Sequence, residues 1–460
     1  MIRLFRVFIP TSVLALLFSE IVLIVICYAL ASLFTTYLNP WTYLITEHNF
    51  WKVLLVVGLI VLGMYFQDLY AELRVISRIL VVQQVCLSVG CALLVMAFLG
   101  YLTPNLLLGR WLMIVGSLGV VLSLPLWRIF YWRYIISALG SERVLLIGNS
   151  SILGEVADTV LAKPEFGYSI IGYLHEGEPG HFAVPCLGSV SDVKRVCQEY
   201  KPTRIVVGMA ERRNRLPMQD LLEIRFGGVR IEDAADTYEM AMRRVCSRKL
   251  QPSQLVFSSE LGPRPHAIAI QSFYSFVLGL LGLVVFSPFM LVAAILVKTS
   301  SRGPILYRQR RVGANGKIFT VYKFRSMYVD AEARTGAVWA KKDDPRITPA
   351  GKWLRKLRLD ELPQFWNVVR GDMAIVGPRP ERPEFVEVLA HQIPYYRQRL
   401  AVKPGITGWA QINHKYGDTE LDALIKLEYD LYYIKNVAAA LDFYIIFHTV
   451  KVMLLSRGAQ

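Results

Sequence analysis

Five long apolar runs constrain this chain more than any other feature. Four come first, at about residues 8–35, 51–68, 79–102 and 110–131, and a fifth fills 267–297 without one charged residue. A helix needs about 20 mostly apolar residues to cross a bilayer, and each run approaches or exceeds that length. A 460-residue chain with such runs, 54% hydrophobic overall, is expected to be an integral membrane protein rather than a water-soluble globule. The opening MIRLFRVFIPTSVLALLF has the basic lead of a signal peptide. Its apolar run continues to Phe34 with no small-residue cleavage site, so it reads as a retained first helix.

Charge between the runs supplies direction. Arg3 and Arg6 precede the first, Arg74 and Arg78 separate the second from the third, and Arg128, Arg133 and Arg143 follow the fourth. The other two loops hold no Lys or Arg, which places the N-terminus and everything after the fourth helix in the cytoplasm. Glu20, Gln83 and Gln84 interrupt the helices and are read as polar packing between them, with an intramembrane functional site as the alternative.

From 141 to 235 the pattern changes to strand–helix alternation. Strands fit 143–147, 169–174, 204–207 and 228–231; helices fit 150–162, 191–199 and 218–226. That alternation implies a small parallel sheet of Rossmann type. The first turn, GNSSILG, lacks the middle glycine of a dinucleotide fingerprint, and Asn149 and Ser150 are expected to obstruct a pyrophosphate. A structural or docking role is therefore expected for this segment.

The connector at 236–266 leads into the fifth run, broken by Ser287-Pro288, where proline removes a backbone hydrogen bond. A full crossing here would carry about sixteen Lys and Arg between 298 and 358 to the outer side, against the charge rule. Physics alone gives a kinked membrane helix and leaves that conflict open.

The densest chemistry lies in DPRITPAGKWLRKLRLDELPQFWNVVRGDMAIVGPRP, residues 344–380. Adjacent carboxylates, Asp360 and Glu361, sit among Lys352, Arg355, Lys356, Arg358, Arg370 and Arg379. Read as one helix, 351–361 puts Lys352, Arg355, Lys356 and Asp360 on neighbouring turns. A carboxylate among so many cations is expected to stay ionised and available as a nucleophile, with fixed positive charge suited to phosphoryl transfer. A solvated basic helix with an ordinary ion pair is the alternative.

Further segments come in order around this one: YRQRRVGANGKIFTVYKFRSM, LDELPQFWNV, GDMAIVGPRPERPEF and KPGITGWAQIN. Together, over about residues 270–460, they resemble the bacterial sugar transferase family of monotopic polyprenyl-phosphate sugar-1-phosphate transferases. The layout is similar to its large, exopolysaccharide-associated members. The resemblance implies a four-helix membrane bundle (1–135), a Rossmann-like cytoplasmic α/β domain (141–235), a re-entrant membrane helix turning at Ser287 and Pro288 (267–300), and a mostly α-helical catalytic domain (301–460). It implies a UDP-sugar donor, undecaprenyl phosphate as acceptor, UMP as leaving group and Mg²⁺ as cofactor. Asp360 is then the nucleophile, and Glu361, with Asp360, the Mg²⁺ ligand. Arg355 and Arg379 clamp phosphate, and Lys323, Arg325, Gln364, Pro378 and Pro380 line the substrate site. The same resemblance points to the bacterial inner membrane, with the site on its cytoplasmic face, and to a homodimer.

Other readings fit less well. The net charge of +15 suits an anionic leaflet or phosphorylated substrates, and no zinc-finger or stacked-aromatic motif supports nucleic acid. Six scattered cysteines form no CxxC pair, so disulfides, zinc and thiol catalysis are not expected. A membrane-bound NAD-dependent nucleotide-sugar dehydratase needs an intact glycine fingerprint and a Tyr-x-x-x-Lys pair, and this chain has neither. A non-catalytic nucleotide-sensing scaffold would leave Asp360 and Glu361 unexplained. The final run from Leu441 is expected to lie in the interface or on a partner.

Overall fold

The computed structural model describes the chain apart from residues 1, 5, 37–39, 46–48, 72, 74–76, 137–140, 178–181, 210–214, 248–261, 263, 330, 332–343, 415–418 and 455–460. Arg74 and most of the late connector therefore lie outside the described residues. Two compact units form: residues 1–3 with 8–237, and residues 4–7 with 238–460.

The first unit begins with apolar helices α1 (Thr11–Thr36), α2 (Asn49–Phe66), α3 (Arg78–Leu102) and α4 (Arg110–Phe130). All four are long and apolar enough to span a bilayer, and this is a membrane protein with a mixed α/β domain. Glu20 on α1 is fully buried and pairs with Arg128 on α4 (Nη2 to Oε2 2.9 Å), while Tyr70 donates to the same carboxylate at 2.7 Å. A second Arg128 nitrogen donates to the Leu69 carbonyl at 2.8 Å. Glu20 is thus packing polarity, as read from sequence. Arg128 is a correction: it lies inside α4 as Glu20's partner, and is not a loop charge that can be counted toward orientation.

The α/β part holds β1 (Glu142–Ile147), α5 (Ser151–Ala162), β2 (Tyr168–His175), β3 (Cys186–Ser189), α6 (Val193–Tyr200), β4 (Arg204–Val207), α7 (Met218–Phe226) and β5 (Arg230–Asp233). The strands are all parallel, in the order β3-β2-β1-β4-β5. Central β1 and β4 are buried apolar runs, as a sheet covered on both faces requires. Strand β3, with the sequence CLGS, was not expected; β5 lies two residues later than its pattern suggested. In the turn after β1, Asn149 donates to the Glu176 carbonyl at 2.7 Å and accepts from the Glu176 amide at 3.3 Å. Its side chain ties the ends of β1 and β2 together.

The second unit starts with α8 (Pro265–Val285) and α9 (Ser287–Ser300), separated at Phe286 where the backbone leaves helical geometry (φ −90°, ψ 2°). The break falls where Ser287-Pro288 predicted it. Helix α8 is also long and apolar enough to cross a membrane. An antiparallel hairpin follows, β6 (Leu306–Val312) with β7 (Ile318–Phe324). Then come α10 (Pro349–Lys356), α11 (Gln364–Val369), β8 (Ala374–Val376), α12 (Pro383–Gln392), β9 (Gly405–Thr407), α13 (Glu420–Asn436) and α14 (Ala439–Leu454). Strands β8 and β9 pair in parallel. Gly282 on α8 lets α11 come close: a Cβ there would stand 2.7 Å from the Phe365 ring. Helix α14 packs one face on its own unit and leaves Phe443, Phe447, Val450 and Met453 exposed on the other. Leu441 and Ile445 are fully buried in this unit's own core, and Asp442 accepts from Gln271 at 2.7 Å and Tyr433 at 2.8 Å.

Candidate active site

Two local devices present the carboxylate pair. Thr348 caps α10 by accepting from the Gly351 amide at 3.0 Å, and the helix ends at Lys356. Arg358 then adopts a left-handed conformation (φ 53°, ψ 22°), costly for a residue with a side chain. That reversal starts a short 3₁₀ turn, Leu359–Glu361, so 351–361 is not the single helix expected from sequence. Lys352 and Lys356 remain exposed on α10, whereas Arg355 and Arg358 reach the pocket beside Asp360 and Glu361.

The cavity measures about 1190 Å³ and is lined by Lys298, at the end of α9, as well as by the carboxylate pair. Glu361 Oε1 takes Lys323 Nζ at 2.9 Å and Arg379 Nη2 at 2.9 Å, and its Oε2 faces Arg358 at 3.8 Å. Burial alone would raise the Glu361 pKa; these cations overcome it and hold the carboxyl well below the ordinary range. Asp360 makes no side-chain hydrogen bond or ion pair among the described residues. Burial, then the Glu361 charge, push its pKa up to about 6, against the pull of Lys323, Arg355 and Arg379. The surrounding cations contact Glu361 rather than Asp360, and a pKa raised to about 6 still leaves Asp360 mostly the carboxylate at neutral pH.

The other sequence candidates separate. Arg355 reaches the pocket with a buried Nη1 that has no hydrogen-bond partner among the described residues. Arg325 also lines the cavity, and its guanidinium is tied to the backbone beside it. Its Nη1 donates to the Arg302 carbonyl and its Nη2 to the Ser301 carbonyl, both at 2.8 Å, so it caps the end of α9. Gly303 makes room for it, since a Cβ there would fall 1.9 Å from Arg325 Nη1. Gln364 is buried in α11 and does not line the cavity, nor do Pro378 and Pro380, whose carbonyls accept from the Gly405 amide and from Arg311. Arg311 donates to the Pro380 carbonyl and to Gln309. Sequence reasoning missed Arg399 and Asp430, a buried pair on the pocket wall whose partners lie far apart along the chain.

A half-buried acid pair, one member without a side-chain partner among the described residues and one held by cations, faces further guanidinium groups in a chain with membrane-length helices, a setting suited to phosphate esters. The chain belongs to the bacterial sugar transferase family, whose sequence profile matches residues 262–456. The UDP-glucose:undecaprenyl-phosphate glucose-1-phosphate transferase of Klebsiella pneumoniae is 33% identical over 347 residues, covering 74% of each chain. The UDP-N-acetylgalactosamine-undecaprenyl-phosphate N-acetylgalactosaminephosphotransferase of Aeromonas hydrophila is 44% identical over 198 residues, 43% of this chain and 47% of that one. The undecaprenyl-phosphate glucose phosphotransferase of Komagataeibacter xylinus is 43% identical over 182 residues, 38% of this chain and 34% of that one. The chain thus matches less than half the length of the last two.

Proposed function

We propose that this protein moves a sugar-1-phosphate from a UDP-sugar to undecaprenyl phosphate, as the first membrane step in building an exopolysaccharide, capsule or O-antigen. The observation that carries the reading is Asp360: a carboxylate without a protein partner, in a basic cavity, beside a Glu361 whose charge is already neutralised. The ionised Asp360 attacks the sugar-linked phosphorus. The bond from that phosphorus to the bridging oxygen breaks, and UMP leaves with that oxygen, giving an aspartyl-phosphosugar. An oxygen of the lipid phosphate then attacks the same phosphorus, frees the Asp360 carboxylate and yields the lipid diphosphate sugar. A carboxylate nucleophile divides one difficult displacement into two easier ones. The unsatisfied Arg355 Nη1 is placed to donate to a phosphate oxygen, and Arg379 adds charge where the transition state spreads it.

The donors present suit Mg²⁺. Among the described residues no cluster of three or more His, Cys, Asp or Glu exists, and Mg²⁺ binds through one or two carboxylates plus phosphate and water. Asp360 would hold it, with Glu361 joining only by giving up one of its cations, and it would supply Lewis-acid charge to the diphosphate.

The broken α8–α9 run supports a re-entrant element with both ends on the cytoplasmic face of the inner membrane. Cysteines introduced at His266 and Thr299 should react from the same side; opposite sides would mean that the run crosses. The parallel sheet supports a Rossmann-like module for self-association, most simply as a homodimer. The use of Asn149 to tie β1 to β2 favours structure over dinucleotide binding. Micromolar binding of NAD to the full chain by calorimetry would refute that.

Purified protein should release UMP from a UDP-sugar when given undecaprenyl phosphate, and mass spectrometry should find a phosphosugar on Asp360. The relatives' names carry glucose and N-acetylgalactosamine, so both donors belong in the panel. Release of inorganic phosphate or free sugar instead of UMP would defeat the proposal.

A further inference from the structure

Arg379 does two things at once: it faces the cavity and it grips Glu361. Its position depends on a stretch with no helix or sheet ladder of its own, residues 377–381, which contains two prolines. Such a segment is held only by what reaches it from outside. The Gly377 amide donates to the Thr407 carbonyl at 2.9 Å, and the Pro378 carbonyl accepts from the Gly405 amide at 3.0 Å. These bonds extend the β8–β9 pairing as far as Pro378 and no further.

Beyond it, Arg311 holds the Pro380 carbonyl at 2.9 Å and the Val312 amide the Glu381 carbonyl at 3.0 Å, and between these anchors Arg399 holds Arg379. Its Nη2 donates to the Arg379 carbonyl at 3.1 Å, while Nε and Nη2 reach Asp430 Oδ2 at 3.0 and 2.8 Å. Nη1 donates to the Tyr396 hydroxyl at 2.8 Å. Both members of the pair are almost sealed from solvent, Arg399 at 5% exposure and Asp430 at 1%. A buried ion pair of this kind gives little net stability relative to apolar residues of the same size, so its retention calls for another explanation. The bond to the Arg379 backbone supplies one.

Resting on the transferase reading above, we infer that Arg399, oriented by Asp430 on α13, is a positioning residue that sets the Arg379 guanidinium between Glu361 and the diphosphate of the donor. It acts through Arg379 and does not touch substrate. A clamp displaced by a fraction of an ångström loses alignment with both partners, and losses of roughly a hundredfold accompany displacements of about 1 Å.

The test is a double-mutant cycle on the full chain in nanodiscs, with UMP release and calorimetric titration of UDP as its two readouts. Arg399→Met should lower kcat/KM roughly ten- to hundredfold and weaken UDP binding. In an Arg379→Ala background the same change should cost less than about threefold in either readout, because the residue it acts through is gone. Asp430→Asn, which keeps the side-chain volume and an acceptor, runs the same cycle should Arg399→Met fail to fold. Effects that multiply in full in the Arg379→Ala background would overturn the inference, as would unchanged UDP affinity in Arg399→Met and Asp430→Asn. Coupling in UDP binding with no UMP release from any donor would leave the positioning role standing and remove the proposed reaction.

Discussion

Asp360 and Glu361 are neighbours in the chain, yet among the described residues the cations within 4 Å of the pair, Lys323, Arg358 and Arg379, all lie on Glu361. One carboxylate spends its charge on structure so that the other can keep its charge for chemistry. The division also sets the two pKa values apart, with Asp360 raised to about 6 and Glu361 held far down. Pairs of acids separated in this way mark distinct roles.

The first consequence is a pH profile. Attack requires ionised Asp360, so single-turnover UMP release should climb about tenfold per pH unit below 6 and flatten near 7. A limb centred near pH 4 would show that burial does not govern Asp360.

Stability should move the other way. A carboxyl whose folded pKa exceeds its unfolded value costs the fold free energy once pH rises above the unfolded pKa. Asp360→Asn should therefore abolish turnover yet stabilise the fold at pH 7 by on the order of 1–3 kcal/mol, seen as a higher melting temperature. The gain should shrink between about pH 6 and pH 4, the window between the raised and ordinary values. Thermal unfolding at three pH values measures it.

Glu361→Gln removes both the anchor for Lys323 and Arg379 and the like charge beside Asp360. Turnover should fall roughly a hundred- to a thousandfold. The remaining activity should show its low-pH limb displaced downward, because Glu361 helps to raise Asp360. An upward shift would contradict this account.

Lys323 and Arg325 should separate cleanly. Arg325→Met uncaps α9 and leaves buried carbonyls unpaired, a loss of about 2–4 kcal/mol seen in melting. Lys323→Met should leave melting nearly unchanged and depress the rate by roughly a hundredfold. Equal melting shifts in the two variants would dissolve the distinction.

The Glu20–Arg128 pair gives a prediction for the membrane helices. Glu20→Gln leaves a buried guanidinium without its anion and should destabilise the helices by about 3–5 kcal/mol. Replacing both, with Glu20→Leu and Arg128→Met, should recover most of that loss in detergent unfolding.

Much of this was legible in the sequence. Apolar runs gave the membrane helices, Ser287-Pro288 gave the break between α8 and α9, and β1, β2 and β4 were evident from buried runs bounded by turns. Strand β3 was not, because CLGS has neither alternation nor an apolar run. The site shows a different limit. Arg325 and Arg355 look alike in sequence and both line the cavity, and only tertiary structure reveals that the Arg325 guanidinium is also tied to the Ser301 and Arg302 carbonyls. Arg399 and Asp430 carry no local signal at all, since 31 residues separate them and burial alone makes the contact matter.

Lys323 lies in β7 and Arg325 just past its end, two residues on, so at most about 7 Å separates their backbone positions. One end of that step grips the carboxylate pair and the other grips the end of α9. The strand is therefore a ruler. Under the proposed reaction, the height at which the lipid phosphate must present itself is written into the covalent length of two residues, and lipids of any chain length meet the same threshold.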